Sequence, residues 1–458
     1  MQNSIPPIYE LGSNFYDIVE PAKFPQQILR FRNQKAAQSI GLSNLSDSQW
    51  LEHFASFKPL GQNISHPLAL RYHGHQFTHY NPELGDGRGF LFAQFLNNGK
   101  LLDLGTKGSG TTPYSRNGDG RLTLKGAVRE ALATATLELY GVNTSKTFSV
   151  IETGESLVRH DEPSPTRAAV LVRLSHSHIR FGTFQRYTYL NQLPELKKLI
   201  SYCLQHYYPE CQDADESLAA YKMFRAVVDA SAKTVAQWMM AGFVHGVMNT
   251  DNMNITGESF DYGPYRFLPT YDVQFTAAYF DHQGLYCFGR QPITMHWNLE
   301  QLAKCFNKAY PESPFSEALE QFGEDFQYHA EMEFLRRLNL TPLPGVEISQ
   351  LMIPFFNFAE KSKAGYEQLF FDLHSGWERQ QWQNSPQKNL YEGELWSSII
   401  DSLRSFECSD INLTQSEYYQ KAIPQTLLYS EIESIWKDIA ERDDWQKFYD
   451  KLNALDPK

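Results

Sequence analysis

The stretch His245-Gly246-Val247-Met248-Asn249-Thr250-Asp251-Asn252, followed nine residues after Asn252 by Asp261-Tyr262-Gly263, constrains this chain more than any other. Its glycines permit tight backbone turns, so it reads as a loop interrupting the surrounding pattern. It brings two carboxylates and a carboxamide close together in the chain. Oxygen donors of this kind suit Mg2+ or Mn2+, which take one or two protein ligands and complete their shell with phosphate and water. An Asp-Asn pair alone is ordinary turn chemistry. The whole string from His245 to Gly263 is far more specific.

Small-molecule kinases and their relatives carry His-Gly-Asp, a short spacer and Asn, with a metal-binding Asp further on. Here His245, Gly246 and Asn252 keep that spacing, but Val247 stands where the catalytic Asp belongs. A valine neither accepts a proton nor orients a hydroxyl, so ordinary phosphoryl transfer loses its base. Asp251 restores a carboxylate one position before Asn252 and is the natural base for an incoming hydroxyl. Asn252 and Asp261 remain as the metal-holding pair, and His245 is expected to be a structural hydrogen-bonding residue. A chain that keeps its nucleotide and metal apparatus while moving its base is expected to do different chemistry on the same nucleotide.

At 458 residues the chain has room for several domains, or for one bilobal unit with extensions. A hydrophobic content of 42% and a charged content of 21% fit a soluble globular protein. The net charge of −12 argues against a general nucleic-acid binder. No apolar run approaches the roughly 20 residues that span a bilayer, and Met1–Pro7 lacks the basic and apolar segments of a secretory leader. The five cysteines (Cys203, Cys211, Cys287, Cys305 and Cys408) are scattered and define neither a disulfide framework nor a zinc site. The expectation is a cytoplasmic protein with no membrane or nucleic-acid partner.

Along the chain, residues 1–60 read as an N-terminal extension with a helix near Asp47–Phe57. Residues 61–165 read as a strand-rich lobe. Gly89–Phe95 and Lys100–Leu104 are strand-like runs joined through Asn97-Asn98-Gly99, a hairpin signal. Leu124–Leu139 lacks proline, is rich in Ala, Leu and Glu, and reads as a helix; Thr147–Thr153 and Ala168–Leu174 read as further strands. Residues 166–385 form a second, mostly helical lobe that includes Leu218–Met240, and 386–458 a helical, polar C-terminal extension with Trp436 and Trp445 packing inward. This order predicts an α+β class and a bilobal, protein-kinase-like fold with N-terminal and helical C-terminal extensions.

Several residues in the strand-rich half suit phosphate. Gly85-Asp86-Gly87-Arg88-Gly89 is a glycine-dense turn before a strand, where backbone N–H groups can approach phosphate oxygens and Arg88 can add a forked contact. Such clusters are often only tight turns. Lys107 ends the next strand, and Glu130 lies twenty-three residues on in the expected helix. A strand lysine paired with a helix glutamate positions nucleotide phosphates in kinases. Asp119 and Gly120 sit in the turn between them, either as a plain surface turn or as a nucleotide contact from an unusual side. Arg173 and Arg180, seven apart, can clamp a triphosphate or be unrelated salt-bridge partners.

The strings Asn81–Arg88, Lys107–Arg116, Ser177–Phe184 and Gly242–Met253 resemble the selenoprotein O family, whose bacterial members are the YdiU-type proteins. The resemblance runs from about residue 65 to 300 and more loosely to the C-terminus. It implies a pseudokinase fold that binds ATP flipped relative to ordinary kinases and transfers AMP to protein hydroxyls, with UMP transfer and Mn2+ assigned to bacterial relatives. Carried over by motif, Gly85, Gly87 and Arg88 would line the nucleotide site, and Lys107 would hold phosphate and pair with Glu130. Asp119 and Gly120 would contact the nucleotide, and Arg173 and Arg180 its phosphates. Asp251 would accept the proton, while Asn252 and Asp261 would bind Mg2+ or Mn2+. Family members often end in a cysteine or selenocysteine linked to redox control. Here the last cysteine is Cys408, so no such switch is expected.

The expected activity is therefore transfer of AMP from ATP to Ser, Thr or Tyr hydroxyls of proteins, with release of pyrophosphate. UMP transfer from UTP and a catalytically silent ATP-binding scaffold are the competing readings.

Overall fold

The computed structural model describes residues 5–160 and 162–456. The fold is mixed, with one large antiparallel sheet in the first part of the chain and helices in the second. The eight strands of that sheet are β1 (Tyr16–Ile18), β2 (Ile28–Arg32), β3 (Leu68–Leu70), β4 (Gly89–Asn97), β5 (Lys100–Lys107), β6 (Leu122–Thr123), β7 (Lys146–Leu157) and β8 (Thr166–Ser175). Their order is β1-β3-β4-β5-β8-β7-β2, with β6 also pairing β8. Residues 1–60 thus contribute both edge strands, β1 against β3 and β2 against β7.

The turn between β4 and β5 is the hairpin read from Asn97-Asn98-Gly99. Asn98 and Gly99 take φ of 49° and 78°, the left-handed pair that matches the twist of a two-residue hairpin. The principal helices are α1 (Asp47–Phe54), α2 (Leu124–Leu139), α3 (Phe181–Tyr189), α4 (Glu216–Met240), α5 (Gln291–Ala309), α6 (Phe322–Leu338), α7 (Tyr429–Arg442) and α8 (Gln446–Leu455). Thr123 caps α2 through its hydroxyl to Gly126 N–H, and Asp215 caps α4 through its carboxylate to Ser217 and Leu218 N–H. The hairpin turn and the starts of α2 and α4 are thus set by named residues, and the helix expected near Asp47–Phe57 ends at Phe54.

Packing divides into three apolar clusters. One face of the sheet carries α1, where Trp50 stacks on Phe148 with ring centres 4.7 Å apart and donates its indole N–H to Ser149 Oγ at 2.8 Å. The other face packs on α2 and continues into α3, α4 and α5 as the largest cluster. A third cluster joins the end of α6 to the helices between 349 and 403. Trp445 is buried and Trp436 is half-buried against the largest cluster. Among the described residues no helix is long and apolar enough to cross a membrane.

Candidate active site

Strand register brings the first three functional side chains together. Lys107 at the end of β5 lies opposite Gly89 of β4 and Leu171 of β8, while Arg173 of β8 lies opposite Gly105. Lys107 and Arg173 therefore point from one face of the sheet. That face meets α2, which buries Glu130 at 1% exposure. Lys107 Nζ donates to Glu130 Oε2 and to Asp261 Oδ1, both at 2.7 Å, so the strand–helix ion pair expected from sequence is formed. Arg173 Nη1 lies 3.3 Å from Glu130 Oε1 and 3.8 Å from Asp261 Oδ1.

Arg180 reaches the same carboxylate from the other side. Its Nη1 donates to the Asp251 carbonyl at 2.7 Å and stands 3.4 Å from Asp261 Oδ2, and its Nη2 stands 3.4 Å from Asp86 Oδ1. Its guanidinium carbon lies 4.5 Å from the Tyr72 ring centre and 4.9 Å from that of Phe260, an aromatic sandwich that holds the cation. Burial pushes the Asp261 carboxyl up, but Lys107, Arg173 and Arg180 outweigh it and hold Asp261 well below the usual carboxylate range. Asp261 is thus an anion at the centre of three cations. It also takes a φ of 64°, a conformation non-glycine residues adopt at a cost of about 1–3 kcal/mol.

Asp251 has the opposite environment. It is 7% exposed, its Oδ1 has no hydrogen-bond partner, and burial lifts its carboxyl to about 6 against the pull of Arg180. A short 3-10 turn over Thr250–Asn252 fixes it. The hairpin Gly74–Gln76/His79–Asn81 lies across that turn, with His75 N–H donating to Thr250 Oγ1 at 2.7 Å and Phe77 N–H to Asn249 Oδ1 at 3.2 Å. His245 stays behind the wall. It is buried, its Nε2 contacts the Phe260 carbonyl at 3.2 Å, and burial lowers its pKa, all as a structural residue requires.

These groups line a cavity of about 850 Å3. Gly85, Gly87, Arg88, Lys107, Asp119, Gly120, Arg173, Arg180, Asp251 and Asp261 are all in its wall, and Glu130 stands directly behind Lys107. Seven Lys or Arg side chains face four Asp there, so the cavity is locally cationic in a chain of net charge −12 and suits a polyanion. Asn252 is not in this wall. Its Nδ2 donates to the Val247 carbonyl at 3.0 Å, and it borders a separate void of about 10 Å3. Gly85 and Gly87 serve packing as much as ligand approach, since a Cβ on Gly85 would lie 2.3 Å from the Tyr114 ring and one on Gly87 2.8 Å from the Tyr114 carbonyl. Asp119 is held by Arg159 at 2.7 and 3.0 Å.

Among the described residues no group of three or more His, Cys, Asp or Glu side chains is arranged to hold a metal by itself. A dication shared between protein and phosphate needs fewer. Asp261, an anion in the wall of the cationic cavity, fits that shared mode.

Sequence reading passed over Asp86, Tyr72, Phe260, Arg116 and Arg159, all but Phe260 in the wall, and took His178, also in the wall, only as a neighbour of Arg173 and Arg180. Asp86 was within sight, lying inside Gly85-Asp86-Gly87. His178 has a quieter signal. Gly105 faces it, and a Cβ there would lie 2.2 Å from its Nε2. Tyr72 packs on Arg180 and Phe260 on both Arg173 and Arg180, and neither leaves a motif.

Comparison with known proteins gives the family. The family model described as "Protein adenylyltransferase SelO" matches residues 2–456. A "Protein nucleotidyltransferase YdiU" from Synechocystis sp. is 43% identical, covering 98% of this chain and 97% of the relative. One of the same name from Gloeobacter violaceus is 44% identical, covering 98% and 94%. With a family model spanning nearly its whole length and relatives matched end to end, the chain belongs to the SelO family of protein adenylyltransferases and is a nucleotidyltransferase.

Proposed function

We propose that this chain transfers AMP from ATP to Ser, Thr or Tyr hydroxyls of proteins, on a kinase-like bilobal scaffold that holds ATP flipped so that the α-phosphate lies by Asp251. The observation that carries this reading is Asp251 itself, a buried carboxylate with a free oxygen in the wall of a cationic cavity. Its Oδ1 takes the proton from the acceptor hydroxyl as the hydroxyl oxygen bonds to the α-phosphorus. The bond from that phosphorus to its bridging oxygen breaks, and pyrophosphate leaves. Lys107, Arg173 and Arg180 offset charge on the phosphoryl oxygens and on the leaving group. Glu130 keeps Lys107 extended, and the Tyr72–Phe260 sandwich keeps Arg180 in place. Asp261 would hold Mg2+ or Mn2+, with Asn252 as a second ligand only once its amide leaves the Val247 carbonyl, and the ion would neutralise phosphate charge.

Incubation of the purified protein with ATP labelled on the α- or the γ-phosphate, with Mg2+ or Mn2+, tests this. α-label on protein without γ-label is the expected result, and γ-label on protein would overturn it. α-labelled UTP in parallel decides the nucleotide: preferential UMP transfer would replace ATP in the reading and leave the chemistry standing. ATP binding with no label on any protein would leave a scaffold.

A further inference from the structure

The mouth of the cavity carries Arg116, whose side chain bonds to no other group among the described residues. Residues 111–120 form a loop strapped to the glycine turn below it. Thr112 Oγ1 donates to the Asp86 carbonyl and Ser115 Oγ to the Gly87 carbonyl, both at 2.6 Å, and Gly118 N–H donates to the Ser115 carbonyl at 2.7 Å. At the tip, Arg116 and Asn117 take φ of 48° and 68° in succession. Two consecutive left-handed residues that are not glycine cost about 1–3 kcal/mol each, and such strain persists where surrounding bonds over-determine it. The strapped loop therefore spends stability on presenting Arg116.

Two other arginines of the rim are neutralised. Arg121 pairs with Glu155 at 2.8 Å and Arg159 with Asp119 at 2.7 Å. Arg88 is the exception, exposed on the glycine turn with no ion pair among the described residues. Arg116 is exposed, has no hydrogen bond or ion pair among the described residues, and lies close enough to Asp251 for its charge to act on that carboxyl. Across the catalytic loop stands an aromatic lip. Tyr279 is 74% exposed and Phe280 42%, their rings 5.1 Å apart, and Phe280 lies 5.8 Å from Phe77 at the tip of the hairpin that crosses the Asp251 turn. Ala277 and Ala278, just before the lip, pack on Gly246. Asp251 thus opens between a free cation and exposed aromatic rings.

We propose that this mouth selects its acceptor. Arg116 recognises a carboxylate beside the hydroxyl residue, and Tyr279 and Phe280 take an apolar side chain of the same segment, so the substrates are acidic, partly apolar protein segments. The assignment rests on the adenylyl-transfer reading. Charge complementarity favours this occupant: a free arginine is pre-organised for a carboxylate fork and meets it without displacing an internal partner.

A library of hydroxyl-containing peptides, randomised at the positions flanking the hydroxyl, is incubated with α-labelled ATP and either the native protein or Arg116→Glu. The native protein should enrich Asp or Glu over Lys by about fivefold, the factor an exposed ion pair supports. At saturating ATP, so that any change in nucleotide affinity drops out of the comparison, Arg116→Glu should abolish or invert that preference and Arg116→Lys should keep its direction. No acidic enrichment, or the same enrichment in Arg116→Glu, would each overturn the inference. So would labelling of whole proteins with no peptide labelled. Absence of α-label from every acceptor would instead overturn the adenylyl-transfer reading.

Discussion

At the scale of single residues the site depends on two aspartates with opposite surroundings. Asp261 is pinned by Lys107, Arg173 and Arg180, whereas Asp251 keeps a buried oxygen without a partner. An unpaired buried carboxylate costs stability and persists where chemistry needs it. Asp251→Asn should therefore lower AMP transfer by about 10²–10⁴-fold, the contribution of a positioned base, and should leave thermal stability level or raised. Retained transfer in that variant, measured with α-labelled ATP, would remove Asp251 from the mechanism. Lys107→Ala acts differently, because it leaves Glu130 and Asp261 short of a cation. Breaking a buried pair by removing one partner costs about 3–5 kcal/mol, so this variant should lose both stability to urea and affinity for ATP. Unchanged stability would mean that Lys107 contributes to the ligand alone.

At the scale of elements, most of the sheet and long helices was legible, and so was most of the site. Asn98-Gly99 fixed the hairpin, and a proline-free run rich in Ala, Leu and Glu fixed α2, because these signals are local. The three-way meeting of Lys107, Glu130 and Asp261 was half legible: the first pair follows from strand–helix spacing, but the direct bond from Lys107 to Asp261 spans 154 positions and depends on packing. The same holds for the start of α3. Gly182 looks like any glycine in sequence, yet a Cβ on it would lie 2.1 Å from the His73 carbonyl and 3.6 Å from Asp251 Cα. His73 leads into the hairpin that covers the Asp251 turn. Gly182→Ala must push these segments apart, and overpacking of this kind costs about 1–3 kcal/mol. The expected result is a lower melting temperature together with reduced transfer. Native transfer at native stability would show that the contact relaxes without moving the base.

At the scale of the whole molecule, the last two helices close the chain back onto its beginning. Reading along the sequence gave them as a polar extension, since nothing local says where a helix will dock. Phe448 of α8 meets Phe31 of β2, Tyr449 donates to the Arg30 carbonyl at 2.9 Å, and Lys125 of α2 pairs with Glu433 at 2.9 Å. Between α7 and α8, Asp443 pairs with Arg30 at 3.1 Å and Arg167 at 2.7 Å, and the same two arginines hold Glu152 at 2.6 Å each. Burial nudges Asp443 upward, but the Trp445 indole N–H, Arg167 and Arg30 outweigh it and bring its carboxyl to about 2; Glu152 is likewise lowered despite its burial. A carboxyl whose folded pKa lies below its unfolded value stabilises the fold above the unfolded value, and that stabilisation is lost as pH falls through the folded one. The docking of α7 and α8 should therefore be constant from neutral pH down to about 4 and weaken from there toward 2. Amide exchange of residues 429–455 against pH reads this directly. Protection lost in that window, and a shallower loss in Asp443→Asn, is the expected outcome. Because α8 and α7 both brace α2, which carries Glu130, the weakening should reach the nucleotide site, with ATP affinity falling as the C-terminal helices lose protection. Exchange that stays flat to pH 2, or loosened helices with ATP affinity intact, would separate this closure from the active site.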